Sequence, residues 1–173
     1  VRYATGGYIC ASPFPYDGIF RRAVLNFKFH NCGAYAELLS HEMVRSIKDV
    51  YRDREFDLVT CVPMHKDTLR ERGYNQAELL AKECARLLGI EYADLLAKTK
   101  KNKTQHSIKA AERAKNVIGV YSPIDKNLIK GKRILIIDDI ITTGSTLGEC
   151  ARILNKCKCG EICCCTLCTS LLI

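Results

Sequence analysis

One stretch restricts what this chain can fold into more than any other: KRILIIDDIITTGSTLGEC, Lys132 to Cys150. Ile134 to Ile137 form an unbroken aliphatic run, which suits a strand buried on both faces. Asp138 and Asp139 interrupt the run. Thr142, Thr143, Gly144, Ser145 and Thr146 follow and lead into a helix expected over Leu147 to Leu154. Backbone N–H groups at a helix start lack partners within the helix, and the dipole there favours negative charge. Gly144 lets the backbone approach a ligand closely, and the hydroxyls add donors. The loop is therefore a phosphate cradle by chemistry, although it lacks the G-x-x-x-x-G-K of a P-loop. Asp138 and Asp139 would repel a phosphate, but they can accept hydrogen bonds from sugar hydroxyls or from the waters of a Mg²⁺ ion. A diol site just ahead of a phosphate site describes a ribose 5-phosphate. A surface turn or helix cap is the structural alternative. It explains poorly why the pair closes a buried strand and opens TTGST.

The rest of the chain reads as alternating strands and helices. A short strand is expected at Tyr8 to Ala11. A helix follows, with Ile19, Phe20, Ala23, Val24 and Phe27 at helical spacing and Arg21, Arg22 and Lys28 near its surface. Residues 35–52 repeat the pattern, with Leu38, Leu39, Met43, Ile47, Val50 and Tyr51 on one face. FDLVTCVP suits a buried strand, and MHKDTLRERGYNQ a polar loop. AELLAKECARLLG is an amphipathic helix whose stripe is Ala77, Leu80, Ala81, Cys84, Leu87 and Leu88, stopped by Gly89. EYADLLAKT reads as one strand and VYSPI as another. The basic segment between them, KKNKTQHSIKAAERAKNV, is a mobile loop or a weak helix. This order predicts an α/β fold with a mostly parallel sheet. Ligands in such folds sit at the carboxyl ends of the strands, where the loops after Pro63 and after Asp138 would converge.

The formal net charge of +8 favours anionic partners, either nucleic acid or phosphorylated small molecules. No apolar run approaches the roughly 20 residues that span a bilayer. No secretory signal is assembled at the start, so a cytoplasmic protein without membrane insertion is expected. Eleven cysteines are present, six of them from Cys157 to Cys168. Without an oxidising compartment a disulfide framework is not expected. Cys165 and Cys168 alone have zinc-ligand spacing. Ile162 to Leu167 reads instead as a buried strand in which cysteine serves as a small hydrophobe, with metal and redox sites as the alternatives.

ILIIDDIITTGST closely resembles the phosphoribosyl-pyrophosphate (PRPP) motif of type I phosphoribosyltransferases. VPMHKDTLRERGYNQAELLAKECARLLG, TQHSIKAAERAKNVIGVY and YDGIFRRAVLNFKF resemble segments of the ComF family, phosphoribosyltransferase-like proteins linked to DNA uptake. The resemblance implies a type I phosphoribosyltransferase-like fold: a central parallel sheet flanked by helices, with a small N-terminal hood. It divides the chain into a hood over residues 1–56 and a core over 57–173. ComF-type proteins usually carry a four-cysteine zinc ribbon upstream of this region, and the residues in hand open at Val1 without one. The terminal cysteines fall where the family has an ordinary strand.

The same resemblance implies displacement of pyrophosphate from PRPP by an acceptor. Asp138 and Asp139 would take the ribose hydroxyls and residues 142–146 the 5-phosphate. His65, Lys66, Arg70 and Arg72 would lie at the pyrophosphate, with Lys66 and Arg72 the first choices as catalytic cations. Mg²⁺ would arrive with PRPP and not through direct protein ligands. Tyr74, Asn75 and Gln76 either start the next helix, with Asn75 as its N-cap, or touch ligand. Thr104, Gln105, Arg113 and Asn116 match a flexible loop that closes over the reaction centre. The acceptor is not encoded in any motif. A non-catalytic accessory of DNA uptake, contacting single-stranded DNA or a competence helicase, is the competing reading, and a homo-oligomeric state stays open.

Overall fold

The aliphatic run lies where its composition requires. In the computed structural model, which describes residues 2–5, 7–29, 33–100 and 117–171, Ile134 to Ile137 belong to a strand inside a seven-stranded sheet. From one edge the order is β1 (Arg2–Thr5), β2 (Tyr8–Ala11), β9 (Glu161–Thr169), β8 (Arg133–Ile141), β4 (Leu58–Cys61) and β5 (Glu91–Tyr92). β3 (Phe14–Pro15) also pairs with β9, beyond β2. Only β1 and β2 run antiparallel; the other pairs in this sheet are parallel.

Parallel neighbours need crossovers, and helices supply them. α1 (Gly18–Phe29), α2 (Gly33–Val50) and α4 (Gln76–Leu88) cover one face. The other face carries α5 (Lys126–Ile129), α6 (Ser145–Lys156) and a two-stranded ribbon of β6 (Leu96–Lys98) and β7 (Tyr121–Pro123). Alternate residues of the central strands serve the two layers. Leu135, Ile137, Cys163 and Cys165 enter the first core, and Ile134, Ile136, Ile162 and Cys164 the second. This period-two division is why the run shows no polar side.

The cysteine-rich segment is a buried central strand. Cys163, Cys164, Cys165 and Cys168 are all buried. Burial pushes the thiols of Cys164 and Cys165 well above the usual range.

Several local expectations need correction. The polar loop after Pro63 contains a short helix, α3 (Lys66–Arg72). His65 caps its start by accepting from the Asp67 N–H at 3.3 Å, and Gly73 ends it with φ 86°. EYADLLAKT is two strands in two sheets. The Ala93 N–H donates to the Val59 carbonyl at 3.0 Å, and the Leu95 carbonyl accepts from Ile124 N–H at 3.0 Å. The chain therefore crosses between sheets over three residues, 93–95. Helix α6 begins at Ser145, earlier than Leu147. The acidic pair does not close its strand, because β8 continues to Ile141, pairing Ile140 with Cys168. Ile19 and Leu38 are exposed at 71% and 66%. On α2 the buried positions are 36, 40, 43, 44, 46 and 47. Leu38 lies two residues from 36 and from 40, about 200° around the helix from that face.

Candidate active site

Strand β8 delivers Asp138 and Asp139 to the carboxyl end of the sheet, both half-buried. The Asp139 N–H donates to Asp138 Oδ1 at 2.9 Å, which fixes one carboxylate against the backbone of the next residue. Asp138 stands in register with Thr166 of β9, whose hydroxyl bonds Ser12 at 2.5 Å. The carboxylates thus project from a strand held on both sides. Asp138 and residues 140–147 line a small concavity.

Gly144 ends the turn and caps α6 with φ 73°, a backbone conformation that side-chain-bearing residues avoid. A glycine cap supplies no side-chain acceptor. The Thr143 hydroxyl accepts weakly from the Ser145 N–H at 3.4 Å and bonds the Ser145 hydroxyl at 2.8 Å. Thr142 and Thr143 are exposed, and Ser145 and Thr146 half-buried. The first helical bond runs from Gly148 N–H to the Gly144 carbonyl at 2.8 Å. The start of α6 therefore offers N–H donors, hydroxyls and the positive end of a dipole, the combination that receives an oxyanion.

The loop after β4 opens beside this concavity. Val62 N–H donates to the Ile137 carbonyl at 2.9 Å, immediately before Asp138. Asn75 closes the loop at its base: its Nδ2 donates to the Val62 carbonyl at 3.1 Å and its Oδ1 accepts from Ala77 N–H at 3.1 Å. Asn75 is thus the N-cap of α4. The Tyr74 hydroxyl donates to the Phe27 carbonyl, tying the loop to α1.

The loop's cations are not equivalent. Lys66 is exposed, without an ion pair among the described residues. The Arg70 guanidinium is 79% exposed and 4.0 Å from Asp67. Arg72 donates to Gln76 Oε1 at 2.9 Å. His65 is engaged as the cap of α3. Thr104, Gln105, Arg113 and Asn116 lie outside the described residues.

Two residues near the concavity went unnoticed in the sequence. Lys98 ends β6, where its register partner is Tyr121 and its Nζ lies 5.6 Å from that ring's centroid. Burial pulls its pKa below the lysine norm, while Asp138 acts in the opposite direction, so the two charges feel each other. Its place in a basic run, Lys98 to Lys103, hid it among surface charges. Glu149 of α6 is buried. Its Oε1 accepts from Gly119 N–H at 2.9 Å, and its carboxylate takes Arg152 at 2.6 and 2.7 Å. Arg152 holds its pKa below the usual value.

A mostly parallel sheet whose inner strand carries an acidic pair near its carboxyl end and turns into a glycine-capped helix defines a class. Residues 75–171 match the phosphoribosyl transferase domain, and the chain belongs to that family. Its fold is that of the type I enzymes. It superposes on the glutamine PRPP amidotransferase of Bacillus subtilis with a TM-score of 0.54 at 18% identity, covering 81% of this chain and 30% of that one.

More particularly, the chain is similar to competence protein F of Haemophilus influenzae, with 31% identity over 144 residues, 80% of this chain and 63% of that protein. It is also similar to competence protein ComFC of Bacillus subtilis, with 31% identity over 152 residues, 87% of this chain and 60% of that protein. These relatives bear out the ComF resemblance. The chain spans less than two thirds of the length of either. Among the described residues no helix is long and apolar enough to cross a membrane.

Proposed function

We propose that the chain binds PRPP at the end of β8 and transfers its phosphoribosyl group to an acceptor, releasing pyrophosphate. The observation that carries this reading is the passage from Asp138 and Asp139, through the turn at residues 142–144, into the glycine-capped start of α6, within a matched phosphoribosyl transferase domain. The start of α6 receives the 5-phosphate. Asp138 and Asp139 accept from the ribose hydroxyls and favour the positive charge that grows on the ring as the bond to pyrophosphate breaks. Lys66 and Arg72, on the neighbouring loop, meet the departing pyrophosphate. Arg72 would leave Gln76 to do so.

Among the described residues no cluster of three His, Cys, Asp or Glu could hold a metal by itself. Two adjacent carboxylates suit Mg²⁺, which is commonly held by one or two carboxylates plus substrate phosphates. Bound there through its waters, Mg²⁺ supplies charge neutralisation to the leaving group. In this reading residues 57–173 form the core and 1–56 the hood on the acceptor side.

The test is thermal. PRPP with Mg²⁺ at 100 times its dissociation constant adds about 2.7 kcal/mol. For a domain of this size that is a rise of roughly 5–10 °C in Tm. Asp139→Asn keeps the shape and removes the charge. It should fold normally and lose most of the rise, because each charge-assisted hydrogen bond is worth about 1.5–3 kcal/mol. An equal rise in Asp139→Asn would make the pair structural.

The +8 charge and the names of the relatives favour a second reading, a non-catalytic accessory of DNA uptake that contacts single-stranded DNA or a helicase. Pyrophosphate release across a panel of acceptors separates the two. Single-strand binding with a steep salt slope would favour the second.

A further inference from the structure

A second concavity, about 430 Å³, lies at the opposite end of the sheet, where β4 and β8 begin. That volume falls within the ~300–1,000 Å³ of small-ligand sites. Its apolar wall includes Phe56, Leu88 and Ile90, with Tyr51 beneath. The Tyr51 hydroxyl is already spent on the Ile9 and Cys164 carbonyls, each at 2.7 Å, so Tyr51 offers the cleft its ring. The Phe56 ring meets the Tyr51 ring at a right angle, with centroids 5.8 Å apart.

The rim is basic. Arg54 pairs with Glu161. Arg133 is held by Asp57 at 2.8 Å and by Glu55 at 2.9 Å. These pairs fix the walls and use up their charge. Lys48 and Arg52 have no ion pair or hydrogen bond among the described residues. Lys48 sits in the last turn of α2, where it also offsets the negative end of the helix. The exposed Arg52 is surplus. An apolar wall with an aromatic ring, below two uncommitted cations, complements a flat body carrying an anion. Arginine's planar fork suits phosphate in particular.

We propose that this cleft binds a nucleoside monophosphate unit, its base on Phe56, Leu88 and Ile90 and its phosphate on Arg52 and Lys48. Arg133 and Asp138 lie five residues apart on β8, about 16 Å at ~3.3 Å per residue. One mononucleotide cannot fill both ends, so this site is separate from the PRPP site. The unit can be a free nucleotide or one residue of a single strand.

The experiment is a ¹H–¹⁵N titration of the chain with AMP and, separately, with a short oligothymidylate. Amides of Tyr51, Phe56 and Ile90 should shift in both the parent and Asp139→Asn. K48A/R52A should weaken that response by at least about tenfold and keep the Tm rise with PRPP. Arg52→Glu alone, on an exposed residue, serves as the variant that leaves the core untouched. Tighter binding of the oligothymidylate than of AMP assigns the unit to a strand, and the reverse order assigns it to a free nucleotide. Shifts confined to residues 138–147, an unchanged response in both cation variants, or no response to either probe would overturn the proposal.

Discussion

Asp57 accepts three hydrogen bonds from a single residue: the Arg133 backbone N–H and Nη2 at 2.8 Å each, and Nε at 3.2 Å. Those bonds hold its carboxyl down at about 2. A depressed carboxyl stabilises the fold above its unfolded pKa, near 4, and that contribution disappears as pH falls through about 2. Denaturant titrations of the parent and Asp57→Asn should therefore differ by a constant amount at neutral pH and converge between about pH 4 and 2. Asn75 is a second residue whose worth can be measured. Asn75→Ala removes a helix cap and leaves the Val62 carbonyl without its side-chain donor. The loss should be about 1–3 kcal/mol, seen as a Tm lower by several degrees. Nothing in GYNQ separates a cap from a ligand, since both roles use the same amide. Only the position of the Val62 carbonyl decides it. Lys98 was equally opaque: its partner Tyr121 is distant in sequence, and the residues between them gave no sign that the two strands pair.

At the scale of elements, continuous apolar runs were the most legible signal. β8, β9 and α4 emerged from the sequence because burial on two faces, or on one stripe, leaves a period that can be counted. The cysteines of β9 follow the same rule. Cys163, Cys164 and Cys165 should react with an aromatic disulfide reagent only after denaturant is added, followed by peptide mass mapping; burial raises all three thiols. Labelling of the native fold, or stoichiometric zinc lost on Cys165→Ser, would contradict a packed strand. Short elements were misread for identifiable reasons. α3 depends on a histidine cap and a positive-φ glycine, neither of which leaves an apolar period. The break in EYADLLAKT carries no glycine or proline to mark it; its one local sign is Asp94, which is exposed at the crossing. At the phosphate loop the chemistry was legible but not the boundary. Gly144→Val should be more damaging than Asp139→Asn, since valine at φ 73° is strained and its branches crowd the anion's approach. The expected readout is a lower Tm together with no response to PRPP.

At the scale of the whole sheet, the earliest of the described strands are joined to the rest through the latest. β2 and β3, near the start of the chain, pair with β9, and β9 in turn pairs with β8. Removing residues 1–17 would turn β9, a nearly continuous apolar strand, into a bare sheet edge. Such an edge templates pairing between copies. The shortened chain should elute as higher oligomers in size-exclusion chromatography, where the parent keeps a fixed size. The same arrangement governs how the protein can be born. Translation proceeds at roughly 5–20 residues per second, and N-terminal segments begin to fold as they emerge. Here the first hairpin has no partner until residues 161–169 have left the ribosome, because the strand between it and the rest of the sheet is the last of the described elements to be made. The nascent chain must hold two unfinished half-sheets in solution, each with an open side, until that strand arrives. Ribosome-stalled chains ending before residue 160 should therefore be protease-sensitive throughout, and protection should appear in one step once Thr169 is free.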